Sequence, residues 1–215
     1  MRQVDRIFNS MVGKGETAPY IDCDYIESDG RGQYINTGIV PNQDTDIEID
    51  YFSILSLTNN VCAIFGAQTR WQIGCFRAQF YGGSFKGIFG NNISAIIDTG
   101  YNASSFGHYM TLVKQGRSFT VTDVDTGGIF SGTTQSAYST SYNLALFACI
   151  SESATGYDTG FARIGQVRIR QSGVLVRDYR PKIHQEDGVT GFYDVVNGTF
   201  NPSANGVNFL YGYLI

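Results

Sequence analysis

Three carboxylates at alternate positions, Asp46, Glu48 and Asp50, have the type and spacing best suited to chemistry in this chain. On an extended strand the side-chain period of two puts all three on one face. Retaining hydrolysis of a glycosidic bond needs two carboxyl groups about 5–5.5 Å apart, one nucleophilic and one protonated. A glycosidase strand is therefore one reading of the triplet. The residues between, Ile47 and Ile49, followed by Tyr51, are apolar, and acid–apolar alternation is also the pattern of a strand with one face on a core and one in water. That second reading is the expectation, and no catalytic residue is assigned. The two histidines, His108 and His184, stand in no Gly-x-Ser-x-Gly or His-Glu-x-x-His pattern. Phosphate chemistry lacks a Gly-rich loop opening an interior helix.

Recognition has better candidates. Trp71, Tyr81, Tyr101, Tyr138 and Tyr157 lie at or beside predicted loops, as does Phe106. An aromatic ring plus a few directed hydrogen bonds suits a sugar, so these five are the expected glycan-binding residues; the alternative is that they cover the edges of a core. From Phe161 to Lys182, Arg163, Arg168, Arg170, Arg177, Arg180 and Lys182 face one acid, Asp178, a local charge of +5 (six minus one). Arg168 and Arg170 flank Ile169 and form a stripe, expected to pair with Asp46, Glu48 and Asp50 on a solvated sheet; an anionic partner surface is the alternative. Nucleic acid is excluded as a partner because no aromatic residues interleave with the stripe to stack bases. The formal net charge of -4 adds no strong global field.

Cys23, Cys62, Cys75 and Cys149 form no Cys-x-x-Cys metal signature and no dense framework. They are expected as buried free thiols, since Cys62 and Cys149 sit in apolar runs. No run of roughly 18 apolar residues is present to insert in a membrane, and Met1–Ser10 has no apolar core of a secretion signal.

These groups need elements to position them. With 26 Gly, 14 Tyr, 15 Phe and 16% charged residues, the 215-residue chain has the composition of turn-rich β-structure. Period-two segments are predicted at 46–52, 61–66, 71–76, 85–89, 94–98, 109–114, 118–124, 142–150, 161–171 and 174–179. Gly82-Gly83, Asn91-Asn92, Gln115-Gly116, Gly127-Gly128 and Ser172-Gly173 punctuate them. Asn197-Gly198 predicts a type I′ hairpin, which needs positive φ at both residues. Residues 127–142 read as a wandering loop with one irregular edge strand, and 102–106 and 151–159 as longer loops. About a dozen strands without an interior helix predict two packed antiparallel sheets. Upstream, Val4, Ile7, Phe8 and Met11 recur at helical spacing over residues 2–12 and end at Gly13-Lys14-Gly15. So short a helix is marginal alone. It needs the flank of the domain or another protein of an assembly, and it is taken as an assembly anchor, with 16–24 as an extended connector.

Two stretches frame the chain: Tyr25-Ile-Glu-Ser with Gln33-Tyr-Ile-Asn-Thr-Gly38, and Leu175-Val-Arg-Asp178 with Gly191-Phe-Tyr-Asp-Val-Val-Asn-Gly198. They resemble the opening and closing signatures of the laminin-G-like, concanavalin-A-like jelly-roll modules of gut-bacterial surface proteins and their phages. The resemblance spans Tyr25 to Gly206 and implies one all-β jelly-roll sandwich at 25–215 behind an N-terminal segment at 1–24. It implies an internal Arg177–Asp178 ion pair. One branch of this fold, the retaining β-glucanases, carries Glu-x-Asp-x-Glu on a strand; here the end residues are the shorter Asp46 and Asp50, which weakens a catalytic reading. Relatives often hold one Ca²⁺, for which Asp22, Asp24, Asp44, Asp98, Asp123, Asp125 and Asp158 are the loop candidates; no cofactor is otherwise implied. The expected function is a non-enzymatic recognition or decoration module of a phage virion, made in the host cytoplasm. Its expected partners are host-surface glycan and, through the N-terminal segment, other virion proteins, with a homo-trimer the analogy for oligomeric state. A bacterial surface or secreted adhesin, or a carbohydrate-binding module, is the alternative.

Overall fold

The computed structural model describes residues 19–52, 62–70, 73–81, 84–92, 96–102, 107–152, 154–157 and 160–214. They form strands, and no helix occurs among them. In chain order these are β1 (Tyr20–Asp22), β2 (Tyr25–Asp29), β3 (Ile35–Asn36), β4 (Thr45–Phe52), β5 (Cys62–Arg70) and β6 (Ile73–Tyr81). β7 (Ser84–Gly90), β8 (Ile96–Asn102), β9 (Tyr109–Gln115), β10 (Ser118–Asp123), β11 (Ile129–Thr133) and β12 (Ala145–Leu146) follow. The last are β13 (Cys149–Ser151), β14 (Ala154–Tyr157), β15 (Phe161–Gln171), β16 (Val174–His184), β17 (Thr190–Asp194), β18 (Thr199–Pro202) and β19 (Leu210–Gly212).

Two sheets result, making the all-β sandwich that the period-two pattern predicts. The larger runs β11-β10-β9-β4-β15-β16-β17-β18 and also holds β1, β2 and β19; the smaller runs β14-β13-β5-β6-β7-β8, with β12 and β3 attached. The larger sheet forks. β15 pairs with β4 along one side, while its other side pairs with β2 at Phe161–Ile164 and with β16 from Val167 onward. β1 continues along β16, with Asp22 opposite Lys182, so β1 and β2 fill the wedge where β15 and β16 part. The connector expected at 16–24 thus ends as a strand of the sandwich.

The core is the set of inward alternates. Ile47, Ile49 and Tyr51 of β4, Val167 and Ile169 of β15, and Phe119 and Val121 of β10 are buried against Phe65, Phe76, Phe80, Phe85 and Phe89 of the smaller sheet. The Tyr51 ring lies 6.4 Å from Phe80 and 6.2 Å from Phe85, spanning the layers. Along one side the sheets close directly: a Cβ on Gly132 of β11 would stand 2.3 Å from Ile97 Cγ2 of β8, so only glycine fits.

Three expectations change. One pair, β13 with β5, is parallel, so the sheets are not wholly antiparallel. The segment expected as one strand at 142–150 breaks at Phe147, which adopts a φ of 67° while its buried ring packs 4.9 Å from Phe209. A bulky residue in that region is strained, and the ring's burial offsets the strain. Asn197-Gly198 forms no two-residue turn. β17 and β18 are joined by residues 195–198, only Gly198 has positive φ, and the Asn197 amide instead donates to Asp194 Oδ2 and to the Val176 carbonyl. Tertiary hydrogen bonds to β16 outweigh the local turn preference. The expected helix at 2–12, with Val4, Ile7, Phe8 and Met11, lies outside the described residues.

Candidate functional site

The acidic strand is a framework strand. Ile47 and Ile49 are buried and the acids face outward, where Glu48 stands opposite Arg168 and Asp46 opposite Arg170. Arg168 Nη1 lies 3.2 Å from Glu48 Oε1, and on the same sheet Arg163 Nε lies 2.7 Å from Glu27 Oε2. Across the β4–β15 register Glu48 thus meets Arg168, while Asp46 lies 3.6 Å from Lys114 of β9.

The two signatures meet each other. Arg177 Nε donates to the Thr37 carbonyl at 3.1 Å and lies 3.5 Å from Asp194 Oδ2. Asp194, 1% exposed, also accepts the backbone N–H groups of Asp178 and Val196. Gln33 accepts from Ser28 Oγ and donates to the Asn208 carbonyl. The expected Arg177–Asp178 pair is not formed, because neighbours on a strand point to opposite faces. Asp178 pairs with Arg180 at 3.0 Å and accepts from Gln166. The signatures thus encode a clasp between the ends of the domain.

Among the described residues, His108, Asp123 and Asp125 form one cluster with the ligand types of a metal site, their atoms within 4.8 Å. His108 Nδ1 lies 2.7 Å from Asp123 Oδ2, Asp123 Oδ1 accepts the N–H groups of Asp125 and Thr126, and Asp125 Oδ2 accepts that of Tyr109. Calcium takes six to eight oxygen ligands. An imidazole with carboxylates already committed to backbone N–H groups does not fit it; the cluster braces the β10–β11 turn. Of the other loop acids, Asp22 pairs with Lys182, Asp24 accepts from the Leu214 N–H and Asp98 pairs with Lys86. Asp158 lies outside the described residues. All four cysteines are free and buried, as expected.

Of the five aromatic candidates, Tyr81 and Tyr138 have described side chains, and they differ in exposure. Tyr138 is 3% exposed and packs on Phe76, so it presents no ring face to solvent. Tyr101 and Tyr157 fall on strands β8 and β14 and not on loops. Trp71 and Phe106 lie outside the described residues. Tyr81 closes β6 and is 51% exposed.

Tyr81 belongs to a row that strand alternation builds. Phe76, Ala78 and Phe80 of β6 enter the core, so Cys75, Arg77, Gln79 and Tyr81 share the outer face of the smaller sheet. The β6–β7–β8 register sets Gln79 beside Lys86 and Lys86 beside Asp98; it sets Arg77 beside Ile88 and Ile88 beside Ile96. Cys75, Ile88 and Ile96 make their own apolar cluster there, apart from the main core. Lys86 Nζ is 3.1 Å from Asp98 Oδ2 and 5.4 Å from the Tyr81 ring centroid. Asp98 also accepts the Gly100 N–H, which chiefly holds its carboxyl below the ordinary range, with hydrogen bonds from Lys86 and Ser84 adding to this. Arg77 and Gln79 are 2% and 3% exposed, and Gln79 Oε1 has no hydrogen-bond partner. A buried acceptor left unpaired costs about 1–3 kcal/mol. The face thus combines an exposed ring, a guanidinium, an ammonium, a carboxylate and an unmet amide oxygen. Of these, the sequence reading singled out Tyr81, and Asp98 only as a calcium candidate. The polar alternates Arg77-x-Gln79-x-Tyr81 within an otherwise apolar strand were the signal for the rest.

No family model and no curated protein matches the chain. Two solved structures resemble it in shape. Domains LG4-5 of the mouse laminin alpha1 chain align at 13% identity and a TM-score of 0.47, over 72% of this chain and 44% of that one. The enzymatically active domain of bacteriophage CBA120 tailspike protein 2 aligns at 10% identity and a TM-score of 0.46, over 76% of this chain and 30% of that one. The chain thus spans less than half the length of either, and its architecture rests on the strand pairing described above.

Proposed function

We propose that this chain is a non-catalytic recognition module that binds glycan on the outer face of its smaller sheet, around Tyr81, Lys86 and Asp98. The observation that carries the reading is the half-exposed Tyr81 ring with Lys86 Nζ 5.4 Å from its centroid and 3.1 Å from Asp98 Oδ2. The pyranose ring stacks on Tyr81, and Lys86 and Asp98 direct its hydroxyls. A non-catalytic role is supported by Glu48, whose carboxylate is engaged by Arg168 in place of a second carboxyl. Placement on the virion of a phage that meets a gut bacterium rests on the resemblance of the opening and closing signatures.

The test is a screen of the intact chain against host-surface polysaccharides, with Lys86→Met and Tyr81→Ala beside wild type. A lost hydrogen bond worth about 0.5–1.5 kcal/mol weakens binding roughly twofold to twelvefold, so Lys86→Met is expected in that range and Tyr81→Ala at or beyond it. Trp71→Ala serves as a control. Silence of the wild type on every polysaccharide, or binding unchanged by both variants, overturns the assignment. Release of reducing sugar by the wild type that Glu48→Gln abolishes overturns the non-catalytic part.

A further inference from the structure

The core side of the larger sheet is uncovered at one corner. Ile21 of β1 stands opposite the buried Ile183, and Tyr211 of β19 opposite the buried Ile26, so both point to the core side of the sheet. Yet Ile21 is 45% exposed and Tyr211 50%, and Tyr213, on the same face as Tyr211, is 55%. The Tyr211 and Tyr213 rings meet edge to face at 6.4 Å. The corner is held together by the Asp24 N–H to the Gly212 carbonyl at 3.0 Å and the Leu214 N–H to Asp24 Oδ2 at 2.7 Å. A sheet face of this kind ordinarily packs against a second layer, and none of the described residues supplies it here.

We propose that the N-terminal segment of this same chain, residues 1–18, docks on this corner with Val4, Ile7, Phe8 and Met11 against Ile21, Tyr211 and Tyr213. The segment joins the fold at Pro19, whose carbonyl is fixed by the Gln185 N–H at 2.9 Å, immediately before β1. Residues 13–18 can span at most about 20 Å, and the extended chain from Pro19 to Asp24 covers at most about 18 Å. The tether therefore reaches the whole strip. Helical residues 2–12 would be about 16 Å long, a match to a strip a few residues in extent. Charge is compatible: residues 1–18 carry Arg2, Arg6 and Lys14 against Asp5 and Glu16, and the rim of the corner holds Asp22 and Asp24. The short helix gains the layer that it lacks alone, and the sheet gains its missing cover.

The test places a photo-crosslinking phenylalanine analogue at position 8 of the full chain and maps the products by mass spectrometry. The expected product is a cross-link within one chain, to the peptides carrying Ile21 or Tyr211–Tyr213, at a yield independent of protein concentration. The exposed-site variant Tyr211→Asp/Tyr213→Asp, checked for retained β circular dichroism, is expected to lose that product severalfold. Products only between chains assign the segment to a second copy and overturn the proposal. Absence of any product at the corner, or a yield unmoved by the double variant, also overturns it.

Discussion

Asp194 shows how one buried carboxylate can hold distant segments. It gathers the N–H groups of Asp178 and Val196, the Asn197 amide and the Arg177 guanidinium, while Arg177 itself reaches the Thr37 carbonyl. Removing one partner of a buried charge pair costs about 3–5 kcal/mol, and Asp194→Ala is expected in that range by urea unfolding. Arg177→Met leaves Asp194 its backbone donors and is expected to cost less. Cys23 makes a pH prediction. Burial, and then the charges of Asp24 and Asp22, push its thiol up to about 12 from 9.0. The folded pKa is raised, so its contribution is whole below pH 9 and is lost as pH climbs from 9 toward 12. Cys23→Ala is expected to flatten that part of the alkaline stability curve, followed by denaturant midpoints at each pH; an unchanged slope contradicts the assignment.

The strands place residues in rows, and the rows explain which candidate groups met. β6 sends Phe76 and Phe80 inward and Arg77, Gln79 and Tyr81 outward, and its regular register with β7 adds Lys86. This row was legible in the alternation of residues 75–81. That Asp98 stands beside Lys86 was not, because it depends on how β8 registers against β7. The strand face at 46–50 was legible throughout, since Ile47 and Ile49 declare the buried side. Closure between β8 and β11 gives a test at this scale. Gly132→Ala sets a methyl 2.3 Å from where Ile97 Cγ2 lies. Overpacking of this kind costs typically 1–3 kcal/mol, and Ile97→Ala in the same chain is expected to recover most of it. Additive losses in the double-mutant cycle would show that the contact is not the cause.

Across the molecule, the ionic outer face of the larger sheet contributes little to stability. Glu48 and Arg168 are each about a third exposed, at 37% and 34%, and such pairs are worth about 0–1 kcal/mol. Glu48→Gln is accordingly expected to shift unfolding by less than about 1 kcal/mol and to leave glycan binding unaltered. The resistance of the whole to unfolding comes from the aromatic layer between the sheets, in which Phe76, Phe89 and Phe119 touch in sequence. The face proposed for glycan lies outside that layer.

Sequence alone determined the β character and the strand faces. Each is written in alternation over a few neighbouring residues, where the backbone period of two leaves no second choice. The tertiary structure decided what depends on pairings far apart in the chain. Arg177 meets Thr37 across 140 residues and leaves its neighbour Asp178 to Arg180. Tyr138 turned inward onto Phe76. The face around Gln79 arose only when three strands aligned. Register between separate strands is set by the packing of the whole core, and no local pattern carries it.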